Sequence, residues 1–339
     1  MKVRIRPSTP NDTAAIVELM RNAGLNPDAA ERWLHWKYWQ ERSDWPGARS
    51  FVVANDSDIF AHSGIVPGTC LWNGLRATVI HMMDWAASPS LVGAGVALMK
   101  YIGGLADALI GVGGSRYTRQ ALPMVGFRPC GATTLYVRVL RPLLGLKDRV
   151  HWNWKTLPRI GRNVLSALSA PAARCGAWHA PRIAREQVQS IASVLPCARA
   201  DMTVLERTPA SLTYFLDCPI APMVLHGLEK AGQRRGYFLL AFVPGQARLV
   251  DCWVDSEDPD DWRAMVHCAV HAALQSPGIG ELITLASDPM LSQCLRELGF
   301  HAQWTDAVQI LPKARTGSIP ANLRFQMLDS DAAFIRIFS

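Results

Sequence analysis

Apolar and polar positions change rhythm several times along the chain, and each change marks an element. The opening Met1-Lys-Val-Arg-Ile-Arg-Pro7 alternates charged with apolar residues, which predicts a first β-strand over residues 4–7. Pro10-Asn-Asp12 then offers a helix N-cap, and Ala14, Ile16, Val17, Leu19 and Met20 follow at helical spacing until Gly24. Pro27-Asp28 opens a second helix. Its Trp33, Trp36 and Trp39 are spaced by three on one face, which assigns them to a core or a domain contact. Residues 51–54, 59–66 and 69–83 predict three antiparallel strands, with turns at Asn55-Asp56-Ser57-Asp58, Pro67-Gly68 and Asn73-Gly74.

The most informative stretch follows. A β-rich run over 77–85 stops before Pro89, a glycine-bearing turn comes next, and Val96, Leu98, Met99 and Ile102 continue with helical period. A strand that delivers glycines to a helix N-terminus presents free backbone N–H groups, an arrangement suited to phosphate. On an extended strand, Asp84 and Met82 share one face, and His81 and Met83 share the other. A short strand over 109–113, a helix over 116–125 and a strand over 132–140 complete the first unit.

The second half repeats the scheme. Residues 237–243 and 247–254 predict strands joined at Pro244-Gly245, followed by a helix over 259–274, a strand over 281–286, a helix over 289–298 and a strand over 301–311. Asp84-Trp85, Gly126-Phe127 and Tyr136-Val137 thus correspond to Asp251-Cys-Trp253, Gly299-Phe300 and Val308–Ile310.

Composition narrows the class. The chain has 339 residues, 49% of them hydrophobic and 19% charged, which describes a folded protein of two domains. No signal peptide is visible, and the apolar region 91–114 is broken by Lys100, Asp107 and seven glycines, so a cytoplasmic protein is expected. The eight cysteines form no C-x-x-C pair, and His267-Cys268 with His271 lacks a third ligand, so no metal site is expected. The net charge of +7 is concentrated: residues 138–186 hold ten basic against two acidic side chains. This connector also contains Trp152, Trp154, Leu157 and Ile160. It suggests a linker helix packed across both domains, with peripheral contact to an anionic membrane or an acidic acceptor as alternatives; specific nucleic-acid binding is not expected.

The order of elements resembles the GCN5-related N-acetyltransferase (GNAT) superfamily, here as a tandem pair. Three places carry the resemblance: Ile5-Arg-Pro-Ser-Thr-Pro-Asn-Asp-Thr-Ala-Ala-Ile16 as the first strand and helix, Pro89-Ser-Leu-Val-Gly-Ala-Gly-Val-Ala-Leu98 as the pyrophosphate loop, and Val125-Gly126-Phe127 with Leu298-Gly299-Phe300 as the Leu-Gly-Phe helix end. The fold implied is α/β: two GNAT-like acyl-CoA N-acyltransferase domains, each a mixed, mostly antiparallel sheet flanked by helices. Domain boundaries are expected at 1–140, a basic linker 141–192, a second domain 193–315 and a tail 316–339.

The resemblance implies acetyl-CoA as co-substrate, held by Trp85, Ala86, Ala87, Val92, Gly93, Ala94, Gly95, Val96, Ala97 and Ser115. Gly95 and Ala97 fall on the loop's small positions, but Val92 replaces its leading Arg or Gln. Asp84 or His81 falls where polar groups assist the amine. Leu122 occupies the place of the frequent tyrosine acid, and Tyr117 is the nearest replacement. The second copy carries Ser256-Glu-Asp-Pro-Asp-Asp261 at the loop position, whose carboxylates repel a pyrophosphate, so the donor site is expected in the first copy alone. The activity implied is N-acetylation of an amino sugar or another small amine. The alternatives are a catalytically decayed binding or scaffold protein and an aminoacyl-tRNA-dependent transferase.

Overall fold

The computed structural model describes residues 3–25, 31–72, 75–144, 170–172, 175–196, 203–313 and 323–335, together with Gly161 and Val164. In the first half, β1 (Arg4–Pro7) leads into α1 (Thr13–Asn22) and α2 (Glu31–Leu34, continued by a π-helical turn His35–Trp39). Then come β2 (Ser50–Ala54), β3 (Ile59–Trp72), β4 (Leu75–Ala87), α3 (Ala94–Gly103), β5 (Ala108–Val112), α4 (Arg116–Val125) and β6 (Arg128–Val139). The second half holds β7 (Trp178–His179), β8 (Arg182–Ile183), a 3-10 stretch Arg185–Val194, β9 (Thr203–Val204), α5 (Pro209–Leu216), β10 (Met223–Lys230), β11 (Gln233–Val243) and β12 (Gln246–Val254). It closes with α6 (Pro259–Gln275), β13 (Glu281–Ala286), α7 (Pro289–Glu297), β14 (His301–Pro312) and β15 (Leu323–Arg324).

Local chemistry sets the ends of several elements. The Asp12 carboxylate accepts the Thr9 N–H at 2.7 Å and pairs with Arg6, so the chain turns into α1 with Ile16, Val17, Leu19 and Met20 buried. Ser115 Oγ accepts the Thr118 N–H and starts α4, and Gly126 at φ +106° ends it. The expected turn at Pro67-Gly68 does not form. Both residues lie inside β3, opposite Ile80 and Val79 of β4. The pairing of β2 with β3 ends at Ser50↔Gly64, so Pro67 sits where β3 is a sheet edge and no partner needs its missing N–H. The turn expected at Asn73-Gly74 and the start expected at Pro27-Asp28 lie outside the described residues.

Among the described residues one large sheet runs in the order β1-β2-β3-β4-β5-β14-β6-β13-β12-β11-β10-β7. The halves exchange their last strands: β14 pairs with β5 (Val308↔Val112), and β6 pairs with β13 (Glu281↔Val139). One hydrophobic core therefore contains Leu34, Trp36 and Tyr38 together with Tyr214, Phe215 and Phe334. Trp36 stacks on Tyr214 with ring centroids 4.8 Å apart, so it makes the contact between halves that its spacing suggested. The basic excess is partly internal: Arg138 donates to the Leu298 carbonyl at the end of α7, and Arg141 donates to Ser276 and Ile279 beyond α6. Residues 145–160, with Trp152, Trp154, Leu157 and Ile160, lie outside the described residues.

Within the large sheet, two pairs of the described strands are parallel, and both part. The β4/β5 pairing ends at His81↔Ile110, and the β12/β13 pairing ends at Leu249↔Thr284. A bulge follows each parting. In β4 the register jumps between Gly64↔Met83 and His62↔Ala86, and in β12 between Leu240↔Leu249 and Leu239↔Asp251. The first bulge overturns the alternation expected for this strand. Asp84 takes φ +50°, and both it and Met83 meet Tyr38, whereas Met82 and Trp85 join the cluster under α3.

Candidate active site

The first parting opens on a cavity of about 780 Å³. Beyond His81 and Ile110 no strand of the described residues lies between the facing edges of β4 and β5, which leaves room there for an extended ligand to pair with their peptide groups. Met82, Trp85, Met99, Leu122, Phe127, Ser115 and Thr118 line one side of the cavity. Lys37, Tyr38, Asp84, Ser330 and Asp331 line the other. The cavity thus passes through the gap and joins the α3/α4 face of the sheet to the α1/α2 face.

Asp84 is the centre of the second side. The Tyr38 hydroxyl donates to its Oδ2 at 2.6 Å, and the Lys37 ammonium pairs with the same oxygen. Burial works to raise the Asp84 carboxyl, but the Lys37 charge and these hydrogen bonds override it and hold the group below the usual carboxylate range. Burial beside that carboxylate pushes the Tyr38 phenol well up, so it remains a donor. The left-handed backbone at Asp84 is fixed from below. His62 Nδ1 meets the Asp84 carbonyl at 3.2 Å and its Nε2 meets Ser50 Oγ at 2.9 Å. Ser8 donates to Ser50 at 2.6 Å, and Trp39 Nε1 donates to Ser8. Burial lowers His62 to about 4, so this chain of bonds runs through a neutral imidazole.

Asp331 was not anticipated from the sequence. It lies in the C-terminal segment, on the cavity wall with Lys37 and Asp84 within electrostatic reach. Burial, opposed by Lys37 and helped by the Asp84 charge, raises it to about 6. The only sequence signal was two carboxylates, Asp329 and Asp331, on either side of Ser330 between Leu328 and the apolar Ala332-Ala-Phe334. Lys37 was likewise unassigned, hidden inside the aromatic run Trp36-Lys37-Tyr38-Trp39.

Of the residues expected at the site, Asp84, His81, Trp85 and Ser115 line this cavity. His81 is buried, lowered by burial to about 4, and its Nδ1 has no hydrogen-bond partner among the described residues. Tyr117 is not brought to the cavity: it stands 82% exposed on the outer face of α4. Leu122 is in the wall instead. Ala86 packs under α1. Val92 is exposed, Gly93 begins α3 at φ +86°, and the residues 92–97 are not part of the cavity lining. Gly95 is small for a structural reason. A Cβ there would lie 3.1 Å from that of Ala87 and 3.3 Å from the Trp85 ring, whose Nε1 donates to the Gly95 carbonyl.

The second parting is filled by the chain itself. The Gln326 side chain accepts the Cys252 N–H at 2.9 Å, and Ser287 Oγ accepts the Phe325 N–H at 2.7 Å. Asp251 accepts a fork of bonds from Arg207 at 3.0 and 2.9 Å and one from the Tyr237 hydroxyl at 2.6 Å. Arg207 also pairs with Asp329 at 2.7 Å. A wider hollow of about 820 Å³ beside Trp39 and α5 is polar, but Arg49, Arg42 and Arg185 in its wall are bonded to Tyr214, Asp44 and Asp217 respectively. Its basic side chains are thus already held within the wall, whereas the first parting joins two strand edges to a buried carboxylate, so the first parting is the better candidate.

No family model matches this sequence, and no curated protein does. Solved structures do match. A probable N-acyltransferase from Enterococcus faecalis V583 aligns over 92% of this chain and 72% of its own, with TM-score 0.59 and 12% identity. A GCN5-related N-acetyltransferase from Anabaena variabilis aligns over 91% and 72%, with TM-score 0.56 and 11% identity. The chain has the GNAT fold. Saccharomyces cerevisiae N-myristoyltransferase, solved with myristoyl-CoA, shares it over 99% of this chain and 86% of its own, at TM-score 0.59 and 11% identity. In the GNAT fold the first parting of β4 from β5 is the expected V-shaped gap, and the second parting is a second V in the same sheet. Among the described residues no three His, Cys, Asp or Glu side chains converge as a metal site, and no helix is long and apolar enough to cross a membrane.

Proposed function

We propose that this chain is an acyl-CoA-dependent N-acyltransferase working in the first V. The observation that carries the reading is the cavity that joins the two free strand edges to Asp84, Lys37, Tyr38 and Asp331. The thioester supplies an activated acyl carbon when it lies between β4 and β5, with its amide-bearing arm paired to the strand edges. An ammonium acceptor is drawn to the two carboxylates. Asp331, ionised above about pH 6, first takes one proton from the ammonium, and the lone pair so freed forms the new C–N bond at the acyl carbon. The C–S bond then breaks, the leaving thiolate takes up the second proton that nitrogen gives up, and an amide and a free thiol result. Asp84, held by Lys37 and Tyr38, orients the amine and remains ionised.

Acetyl-CoA is the first donor to test and a small amine the first acceptor. Calorimetric titration with acetyl-CoA at about millimolar concentration should give saturable binding, and the thiol released with amine should be lost in Asp331→Asn. No binding of acetyl-CoA or of longer acyl-CoA thioesters would sink the proposal. The competing reading is a binding protein with a decayed active site. It is favoured by one observation, the position of residues 92–97 outside the cavity lining with Gly95 committed to Trp85. Donor binding without thiol release from any amine would favour it.

A further inference from the structure

The cavity of the first V is not lined evenly. On the α1/α2 side, next to Lys37 and Tyr38, its wall is Met20, Ala23, Leu25, Trp33 and Leu34. Met20 and Leu34 are buried, and Leu25 is 39% exposed at the rim. Among the described residues these five wall side chains carry no hydroxyl, no amide and no charge. The one side-chain nitrogen or oxygen among them is Trp33 Nε1, which is buried and has no hydrogen-bond partner among the described residues.

We infer that this alcove holds the body of the acceptor, and that the acceptor is a primary amine on an aliphatic or aromatic body rather than an amino sugar. The inference rests on the acyl-transfer reading above. Charge fixes one end of the ligand: Asp84 and Asp331 stand against one ammonium, that of Lys37, so the site takes one further cation. Shape fixes the other end. In the acyl-transfer reading the donor takes the Ser115 and Thr118 side of the gap, which leaves the alcove to the body attached to that ammonium. A polyhydroxyl body would leave water behind at each hydroxyl and find one donor, the Trp33 indole, in return. An apolar body loses no hydrogen bonds there, and a carbonyl or ether oxygen on it would accept from Trp33. The reaction balances as before: the ammonium nitrogen gains the acyl group and gives up two protons, one to Asp331 and one to the leaving sulfur.

The test uses the full chain with phenethylamine and glucosamine as probes, titrated calorimetrically without donor. Phenethylamine should bind at least about ten-fold more tightly than glucosamine. Trp33→Ala and, as a milder change at the exposed rim, Leu25→Asn should each weaken phenethylamine about ten-fold and leave acetyl-CoA affinity within about two-fold. Glucosamine binding as tight as phenethylamine, or no phenethylamine binding at about ten millimolar, overturns the inference. Phenethylamine binding with the expected variant losses, but with no acyl-CoA bound at all, upholds the alcove and overturns the acyl-transfer reading instead.

Discussion

The two V-shaped partings carry the same set of groups with opposite contents. In the first, Asp84 takes the Tyr38 hydroxyl and the Lys37 ammonium, and the tail adds Asp331. In the second, Asp251 takes the Tyr237 hydroxyl and the Arg207 guanidinium, and the tail adds Asp329. Each has one cation against two carboxylates. The difference lies in what closes the gap. Residues 323–329 satisfy the strand edges of the second V, and Arg207 satisfies both its carboxylates, so nothing is left to react. The first V keeps open edges, and Asp331 faces a cavity. The same segment that plugs one V delivers a carboxylate to the other. Arg248 of β12 holds the tail carbonyl of Ala332 at 3.0 Å, so the second half acts as a bracket for the first half's site.

The comparison breaks most sharply at the two tail carboxylates. Asp331→Asn removes the proposed base without removing packing, and should lower the rate of thiol release about 10²- to 10⁴-fold while the unfolding midpoint at pH 7 does not fall, since the buried carboxylate it replaces disfavours the fold above about pH 6. Steady-state kinetics beside a urea melt check both halves of that statement. A rate within a few-fold of the parent would move the base elsewhere. Arg207→Ala tests the opposite character of the second V. It strands Asp251 and Asp329 in the interior, and should cost about 3–5 kcal/mol of stability, read as a fall in the urea midpoint. A melt unchanged by Arg207→Ala would mean that the second V is not the structural one.

Much of this was legible where the signal is local. Helix α4 runs over the residues its pattern predicted because Ser115 caps it and Gly126 ends it, and β13 is bounded by Gly280 and by the polar Ser287. β10 was not, because Met-Val-Leu-His-Gly-Leu is buried on both faces and shows no alternation. The exchange of β6 and β14 was not legible either, since strand partners far apart in the chain leave no local trace. At the site, Asp84 was singled out, but its face was misjudged because a bulge resets the period of two. Asp331 and Lys37 were missed because their role comes from burial and from each other.

A smaller effect separates the carboxylates by pH. Asp329 and Asp331 are both raised to about 6 by burial. A carboxyl raised in the folded state stabilises the fold fully below its unfolded value, near 4, and that contribution is lost as pH rises to about 6. For Asp329 this appears only in the melt, as stability that declines between about pH 4 and 6. For Asp331 it also appears in turnover: kcat/KM should rise about ten-fold from pH 5 to pH 7 and level off above. Asp331→Asn should abolish that rise, and Asp329→Asn should leave it. A rise that survives Asp331→Asn assigns the titration to another group.

The smallest expected effect tests how far the open V depends on its helix start. Gly95→Ala places a Cβ 3.1 Å from that of Ala87 and against the Trp85 ring. Helix α3 and β4 must separate by a few tenths of an ångström, at a cost of about 1 kcal/mol in the urea melt. Trp85 is in the cavity wall, so the shift reaches the donor side of the gap. Acyl-CoA affinity should therefore fall by a few-fold, with the pH profile of turnover unchanged. Gly93→Ala is the control. No side chain crowds its position, so its cost comes from the left-handed φ of +86° alone. If Gly93→Ala weakens the donor as much as Gly95→Ala does, the backbone conformation of the loop governs binding. If only Gly95→Ala does so, the contact with Trp85 governs it, and the loop acts on the donor through the strand it packs against.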